Sequence, residues 1–215
     1  MTILIFANGD IEPIDWVRPR LAEATRIISA NGGATHLLRL AVQPEVVIGD
    51  LDSLPSEARH LWRPPTTRFE QRPTHKDETD LELALLLAAE TYSDPIEVYG
   101  SIGGRLDQTL ANVYLLAHPR LRGRRVTLVE QYQRSRLCAD RTTIRGERGD
   151  KVSLIPLSDT VQVASTRGLQ WPLVDEVLFR GPARGVSNEM LAAKAEVVVT
   201  RGSLLCVHTD QAWHR

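Results

Sequence analysis

The stretch "VVIGDLDSL", residues 46–54, decides how the first part of this chain is read. Val46, Val47 and Ile48 are consecutive β-branched residues, the pattern of a strand buried on both faces. The run ends in Gly49 and then Asp50 and Asp52, two like charges separated by a single residue. Carboxylates that converge raise each other's pKa unless something positive sits between them. The pair is therefore either splayed into water or built to share a cation, and the surrounding chain has to decide.

Working outward, strand-like and helical runs alternate. "TILIFA" (2–7), "RIISA" (26–30), "EVVIG" (45–49), "TRFEQ" (67–71), "PIEVYGSI" (95–102) and "RVTLVEQ" (125–131) read as strands. Between them lie a helix opened by Pro13 and running toward Glu23, the segment "NGGATHLLRLAV", and the helix around "SEARHLW". "ETDLELALLLAAETY" is apolar on nearly every face, and "RLDQTLANVYLLAHP" stops at Pro119. Repeated β-then-α units predict a parallel sheet with helices on both faces. Ligands of such sheets bind beyond the carboxyl ends of the strands. After Tyr132 the pattern changes to short strands punctuated by "GERGD", "RGLQWP", "RGPARG" and "RGS", which predicts a smaller all-β sandwich. The expected domains are 1–133 and 134–215.

Composition sets the bounds. The chain has 215 residues, 42% hydrophobic and 25% charged, with a formal net charge of −1, so neither nucleic acid nor an anionic membrane is an expected partner. Two distant cysteines, Cys138 and Cys206, form no zinc motif and fit a reducing compartment. No apolar run has membrane-spanning length, and a cytoplasmic location is expected. The six histidines show no ligand spacing, and Trp16, Trp62 and Trp213 read as packing residues. "RLRGRR" (120–125) reads as a helix end and surface turn.

Three acidic clusters fall just beyond strands: Asp50 with Asp52, "KDETD" with Lys76, Asp77 and Asp80, and Asp107 in "GSIGGRLDQ". In a parallel sheet all three lie along one edge. Carboxylates gathered there suit Mg²⁺, a hard cation that shares its shell with water and phosphate oxygens. Each cluster also has a structural reading. Thr79 and Glu82 match a capping box, and Asp80 suits a helix N-terminus. Capping leaves Lys76 and Asp77 unexplained. The glycine turns at Gly32 and Gly33 and at Gly103 and Gly104 precede helices, where free backbone N–H groups bind phosphate, and Arg105 offers a forked contact. Neither turn is a Walker A or GxGxxG sequence.

"GDLDS", "KDETD" and "GGRLDQ", followed by "STRGLQWPL" (165–173) and "GVSNE" (185–189), together resemble the signature set of the thiamine pyrophosphokinases. The resemblance implies an α/β ATP-binding domain, a thiamine-binding sandwich, Mg²⁺, ATP as co-substrate, and a homodimer with its active site at the subunit interface. It implies a Mg²⁺ and phosphate-side cluster of Asp50, Asp52, Asp77 and Asp80, with Asp50, Asp52 and Asp77 on the metal. Lys76, Gly104 and Arg105 fall on the nucleotide side, Asp107 and Gln108 near both substrates, and Trp171, Ser187 and Asn188 in the thiamine pocket. Two positions depart from the family pattern. Asn31 stands in "ANGGA" where "ADGGA" is common, and is given no metal role; Gln108 replaces a frequent histidine. The alternatives are a pyrophosphokinase acting on another alcohol, such as a hydroxymethylpterin, and a non-catalytic nucleotide or thiamine sensor.

Overall fold

The computed structural model describes residues 1–214. The chain divides between Gln131 and Tyr132 into two compact units.

The first unit begins with β1 (Thr2–Phe6), a 3₁₀ turn at Ile14–Val17 and α1 (Arg18–Leu21), then β2 (Ala24–Ala30) and α2 (Ala34–Leu40). It continues through β3 (Val46–Gly49), α3 (Ser56–Leu61), β4 (Arg68–Gln71), α4 (Asp80–Thr91), β5 (Ile96–Tyr99), α5 (Leu106–Leu115) and β6 (Val126–Val129). Every strand pairing within this unit is parallel, in the order β6-β5-β1-β2-β3-β4. The helix expected from Pro13 to Glu23 is only the 3₁₀ turn and a four-residue α1. Pro19 lies in its middle and lacks the N–H that a continuous helix would need there.

Side chains alternate across the sheet. Leu4, Phe6, Val47, Tyr99 and Val129 share one core with Ile14, Val17, Leu37 and Leu40, and with Ala58 of α3. Ile3, Ile5, Ile28, Ile48 and Ile96 are equally buried and point the other way. That is the face where α4 packs on β1, β2 and β3. Helices thus cover both faces, as the sequence pattern predicts. α4 buries Leu81, Ala84, Leu85, Leu86 and Ala88, and begins with the Glu82 N–H donating to Thr79 Oγ1 at 3.1 Å. Only this half of the capping box forms, because the Glu82 carboxylate faces His118 instead.

The order of the strands creates a switch point. The chain steps outward from β1 through β2 and β3 to β4, and α4 then carries it back to β5, on the other side of β1. Loops leaving β1 and β5 therefore diverge at their carboxyl ends and open a crevice.

The second unit contains β7 (Gln133–Leu137), β8 (Arg141–Arg145), β9 (Lys151–Pro156), β10 (Thr160–Arg167), β11 (Val174–Phe179), β12 (Asn188–Glu189), β13 (Lys194–Arg201) and β14 (Leu204–Thr209). These strands form two antiparallel layers, β12-β9-β14-β7 and β11-β10-β13-β8. One core takes Val152, Leu154, Leu204 and Cys206 from the first layer and Ile144, Val161, Val163, Leu178 and Val197 from the second, which makes it a sandwich. Both cysteines are free and buried. Trp62 is a core residue as expected, but Trp213 is 53% exposed and meets the edge of the Tyr132 ring. Among the described residues no helix is long and apolar enough to cross a membrane.

Gly33 shows how tightly the β2–α2 turn is set against β1. A Cβ on Gly33 would lie 2.0 Å from the Phe6 carbonyl oxygen, and its φ of −56° is one any residue accepts. Substitution is penalised by crowding alone. Gly33→Ala is expected to lower stability by about 3 kcal/mol, the upper range for overpacking, as measured by urea denaturation.

Candidate active site

A cavity of about 410 Å³ opens at the carboxyl edge of the parallel sheet. Its walls come from the loop after β1 (Ala7, Asn8, Gly9, Asp10), the turn after β2 (Ala30, Asn31, Gly32), Ser53, and the start of α4 (Thr79, Asp80, Leu81). The loop after β5 (Gly100, Ser101, Gly103, Gly104, Arg105) and Gln108 and Asn112 of α5 complete it. This is the switch-point crevice, of a size that small ligands and cofactors occupy.

One of its lining residues is Asn31, 5% exposed. Its Nδ2 donates to Asp50 Oδ1 at 2.8 Å, Asp52 Oδ1 at 3.0 Å and Asp80 Oδ2 at 3.0 Å. The structure thus joins two of the predicted acidic clusters through an amide given no role from sequence. Leu51, between the two aspartates, takes a left-handed φ of 64°, and the Asp52 N–H then donates to Asp50 Oδ1 at 3.2 Å. The Asn31 hydrogen bond, helped by the Ser53 hydroxyl, holds the Asp52 pKa at about 2. Lys76 Nζ stands 3.1 Å from Asp80 Oδ1, an attraction of charge without an aligned hydrogen bond, so that oxygen is buried and unsatisfied.

The other predicted residues are placed as follows. Asp77 is exposed and has no side-chain partner among the described residues. Arg105 forks onto Asp107, with Nε 3.1 Å from Oδ1, and Asp107 also accepts the Gln108 N–H at 2.9 Å. That guanidinium lowers the Asp107 pKa, and both side chains are largely exposed. Gly32, Gly103, Gly104, Arg105 and Gln108 line the cavity, whereas Gly33 serves the close packing described above. In the second unit Asn188 is buried and spent on backbone: its Nδ2 donates to the Trp171 carbonyl at 2.6 Å, and its Oδ1 accepts the Trp171 N–H at 3.1 Å. Trp171 is left 54% exposed on this support. Ser187 is exposed with a φ of 59°, and its N–H donates to Ser153 Oγ at 3.0 Å.

Sequence reading missed Asn8, Gly9, Asp10 and Ser101. "NGD" after β1 repeats the glycine-then-acid pattern of the other loops, which was the available signal. Gly9 donates its N–H to the Gly100 carbonyl at 2.8 Å, and a Cβ there would meet that oxygen at 2.5 Å. Ser101 Oγ is buried with no hydrogen-bond partner, a polar atom available to a ligand.

Could this donor set hold a metal ion? Its oxygens are hard and come from the loop after β3 and the start of α4, and Asp80 Oδ1 accepts no hydrogen bond among the described residues, which fits Mg²⁺ chemically. Among the described residues, however, no group of three His, Cys, Asp or Glu stands ready for a metal, since the carboxylates converge on an amide nitrogen.

His36 braces the same region, its Nε2 donating to the Gly9 carbonyl at 2.8 Å while Nδ1 is buried without a partner. Burial lowers its pKa below the ordinary 6.5, although the Gly9 bond opposes this. At pH values below 6.5 the unfolded chain binds the proton that folded His36 refuses, so stability falls as pH drops. His36→Gln keeps a donor for Gly9 but does not titrate. The variant is expected to lose less stability than the wild type between pH 7.5 and 5.5, read by denaturant titration.

Comparisons with known proteins bear on both units. The family model "Thiamin pyrophosphokinase, catalytic domain" matches residues 17–128, and "Thiamin pyrophosphokinase, vitamin B1 binding domain" matches residues 141–204. A thiamine pyrophosphokinase of Bacillus subtilis is 26% identical over 210 residues, covering 97% of this chain and 98% of that protein. The crystal structure of thiamine pyrophosphokinase from Bacillus subtilis superposes with a TM-score of 0.86 at 27% identity, covering 98% of this chain and all of the other. That of thiamin pyrophosphokinase from Geobacillus thermodenitrificans gives 0.84 at 26% identity, covering 99% of each chain.

Proposed function

Because the chain belongs to the thiamine pyrophosphokinase family, matching both its catalytic and its vitamin B1 binding model, we propose that it transfers the pyrophosphoryl group of ATP to thiamine. The products are thiamine diphosphate and AMP. The observation that carries the reading is the meeting of Asp50, Asp52 and Asp80 beside the glycine loops of one switch-point cavity. In this proposal the first unit takes ATP, the second takes thiamine, and the protein works in the cytoplasm.

Chemically, the thiamine hydroxyl oxygen bonds to the β-phosphorus of ATP and gives its proton to a carboxylate or water, the bond from that phosphorus to the oxygen bridging it to the α-phosphate breaks, and AMP leaves with that oxygen. The chain's part is positioning and charge. Backbone N–H groups around Gly32, Gly103 and Gly104 hold phosphate oxygens, and Ser101 Oγ donates to one more. Arg105 exchanges Asp107 for a phosphate, which frees Asp107 near the reacting hydroxyl. Asp50, Asp52, Asp77 and Asp80 would hold Mg²⁺. When bound, the cation neutralises phosphate charge. The exposed indole of Trp171 offers a flat face to the cationic thiazolium, and Asn188 holds its main chain in place.

α5 supports a homodimer. Leu106, Leu110 and Tyr114, four residues apart and so on one helix face, are 71%, 50% and 50% exposed, and only Asn112 of this helix is buried. An apolar stripe of this kind is covered by a partner, and a second copy is the partner the family resemblance implies. Leu110→Glu is expected to give a monomer in sedimentation velocity runs where the wild type is a dimer. An unchanged dimer would remove this face from the interface.

The function is tested by chromatography of products after incubation with ATP, Mg²⁺ and thiamine, with and without EDTA. Equal amounts of thiamine diphosphate and AMP, lost in EDTA, are expected. ADP with thiamine monophosphate would overturn pyrophosphoryl transfer. No turnover of thiamine, with turnover of a hydroxymethylpterin, would move the reading to another alcohol, and turnover of neither would favour a sensor. Asp77→Asn changes an exposed residue, so its melting temperature is expected to stay put while turnover falls at least about 100-fold. Near wild-type turnover would take Asp77 out of the metal set.

A further inference from the structure

Asn31 sets its amide nitrogen among three carboxylates of the acidic cluster. Its two N–H bonds serve three carboxylate oxygens, from Asp50, Asp52 and Asp80, all within 3.0 Å of Nδ2. Its own Oδ1 is buried with no hydrogen-bond partner. An amide inside a protein normally satisfies both ends. Here the orientation is dictated by the carboxylates, because turning the amide half a revolution would press its oxygen against three anionic ones. Lys76 supplies the cluster's other positive contact, and it reaches Asp80 alone.

We propose that Asn31 is a positioning residue whose amide holds the Asp50, Asp52 and Asp80 carboxylates together before any cation binds. The acidic site is thereby assembled in the metal-free protein, with the loop after β3, the β2–α2 turn and the start of α4 tied at one atom. The inference rests on the metal role assigned above, but it concerns the chain without metal and is tested there. A carboxylate at position 31 would add a fourth negative charge in place of a donor. Asp accepts the left-handed φ of 41° at this position as readily as Asn does, so the exchange isolates charge from backbone strain.

The experiment is thermal unfolding of the full chain in EDTA and in excess Mg²⁺, for wild type, Asn31→Asp, and the exchange variant Asn31→Asp with Asp52→Asn. The exchange variant returns one amide to a cluster of three carboxylates. In EDTA, Asn31→Asp is expected to melt about 5 °C below wild type, and Mg²⁺ to raise its melting temperature more than that of wild type. The exchange variant is expected to regain at least about half of the loss in EDTA. If Asn31→Asp melts with wild type in EDTA, or if the exchange variant regains nothing, the proposal is overturned. Should Asn31→Asp fail to fold, the exchange variant decides alone: a cooperative melt in EDTA supports the proposal, and failure to fold overturns it. Wild-type turnover is followed in parallel. Turnover with unchanged melting overturns only the role of Asn31, whereas the expected melting shifts without turnover overturn only the enzymatic reading.

Discussion

Three carboxylates cannot gather in a half-buried cleft unless something between them carries positive charge or donates hydrogen bonds. In this chain that constraint is met by the Asn31 amide nitrogen together with Lys76 beside Asp80, and much of the first unit is arranged around them. Asp50 and Asp52 arrive from the end of β3, with Leu51 turned into the left-handed region between them. Asp80 comes from the first turn of α4, where the Thr79 cap fixes the start of the helix. Asn31 follows β2 and is pushed toward the cluster by a turn so close to β1 that only glycine fits at position 33.

The sheet decides why these elements meet. All six strands of the first unit run parallel, so every β-to-α loop emerges at one edge. α4 returns the chain across the sheet to β5, and the loops after β1 and β5 part at that crossing. The contacts between them are backbone to backbone, Ala7 to Tyr99 and Gly9 to Gly100, which leaves side chains such as Asp10 and Ser101 for the cavity. Metal, phosphate and alcohol sites proposed for the family chemistry all draw on this single edge. The sandwich contributes something different: a rigid antiparallel frame on which the Asn188 amide clamps the Trp171 main chain and leaves the indole outside.

Much of this was legible in the sequence because the periodicities are strong. Consecutive β-branched residues in β3, the all-round apolar α4 and the change to short strands after Tyr132 each reflect burial, which leaves a local mark. "TRFEQ" forms β4, at the edge of the sheet. What failed locally failed for identifiable reasons. α1 is short because Pro19 interrupts it. Glu82 left its capping box for His118, which is distant in sequence. Trp213 looked like a packing residue by its type alone, although its surroundings leave it half exposed. Asn188, expected in the thiamine pocket, keeps that expectation and adds a contact no local pattern shows, its oxygen and one N–H holding the main chain of Trp171, seventeen positions away.

The residues themselves determined the element types, the parallel sheet followed by a sandwich, the family, and the acidic loops at one edge. These follow from side-chain period, turn chemistry and motif order, all properties of neighbouring positions. Tertiary structure alone decided which carboxylates share a partner, that Asp80 and not Asp77 joins Asp50 and Asp52, and that Asn31 stands among them. It also brought the loop after β1 into the cavity wall. Those facts depend on distances between segments that are far apart in the chain, and a hydrogen bond of about 3 Å leaves no trace in local pattern.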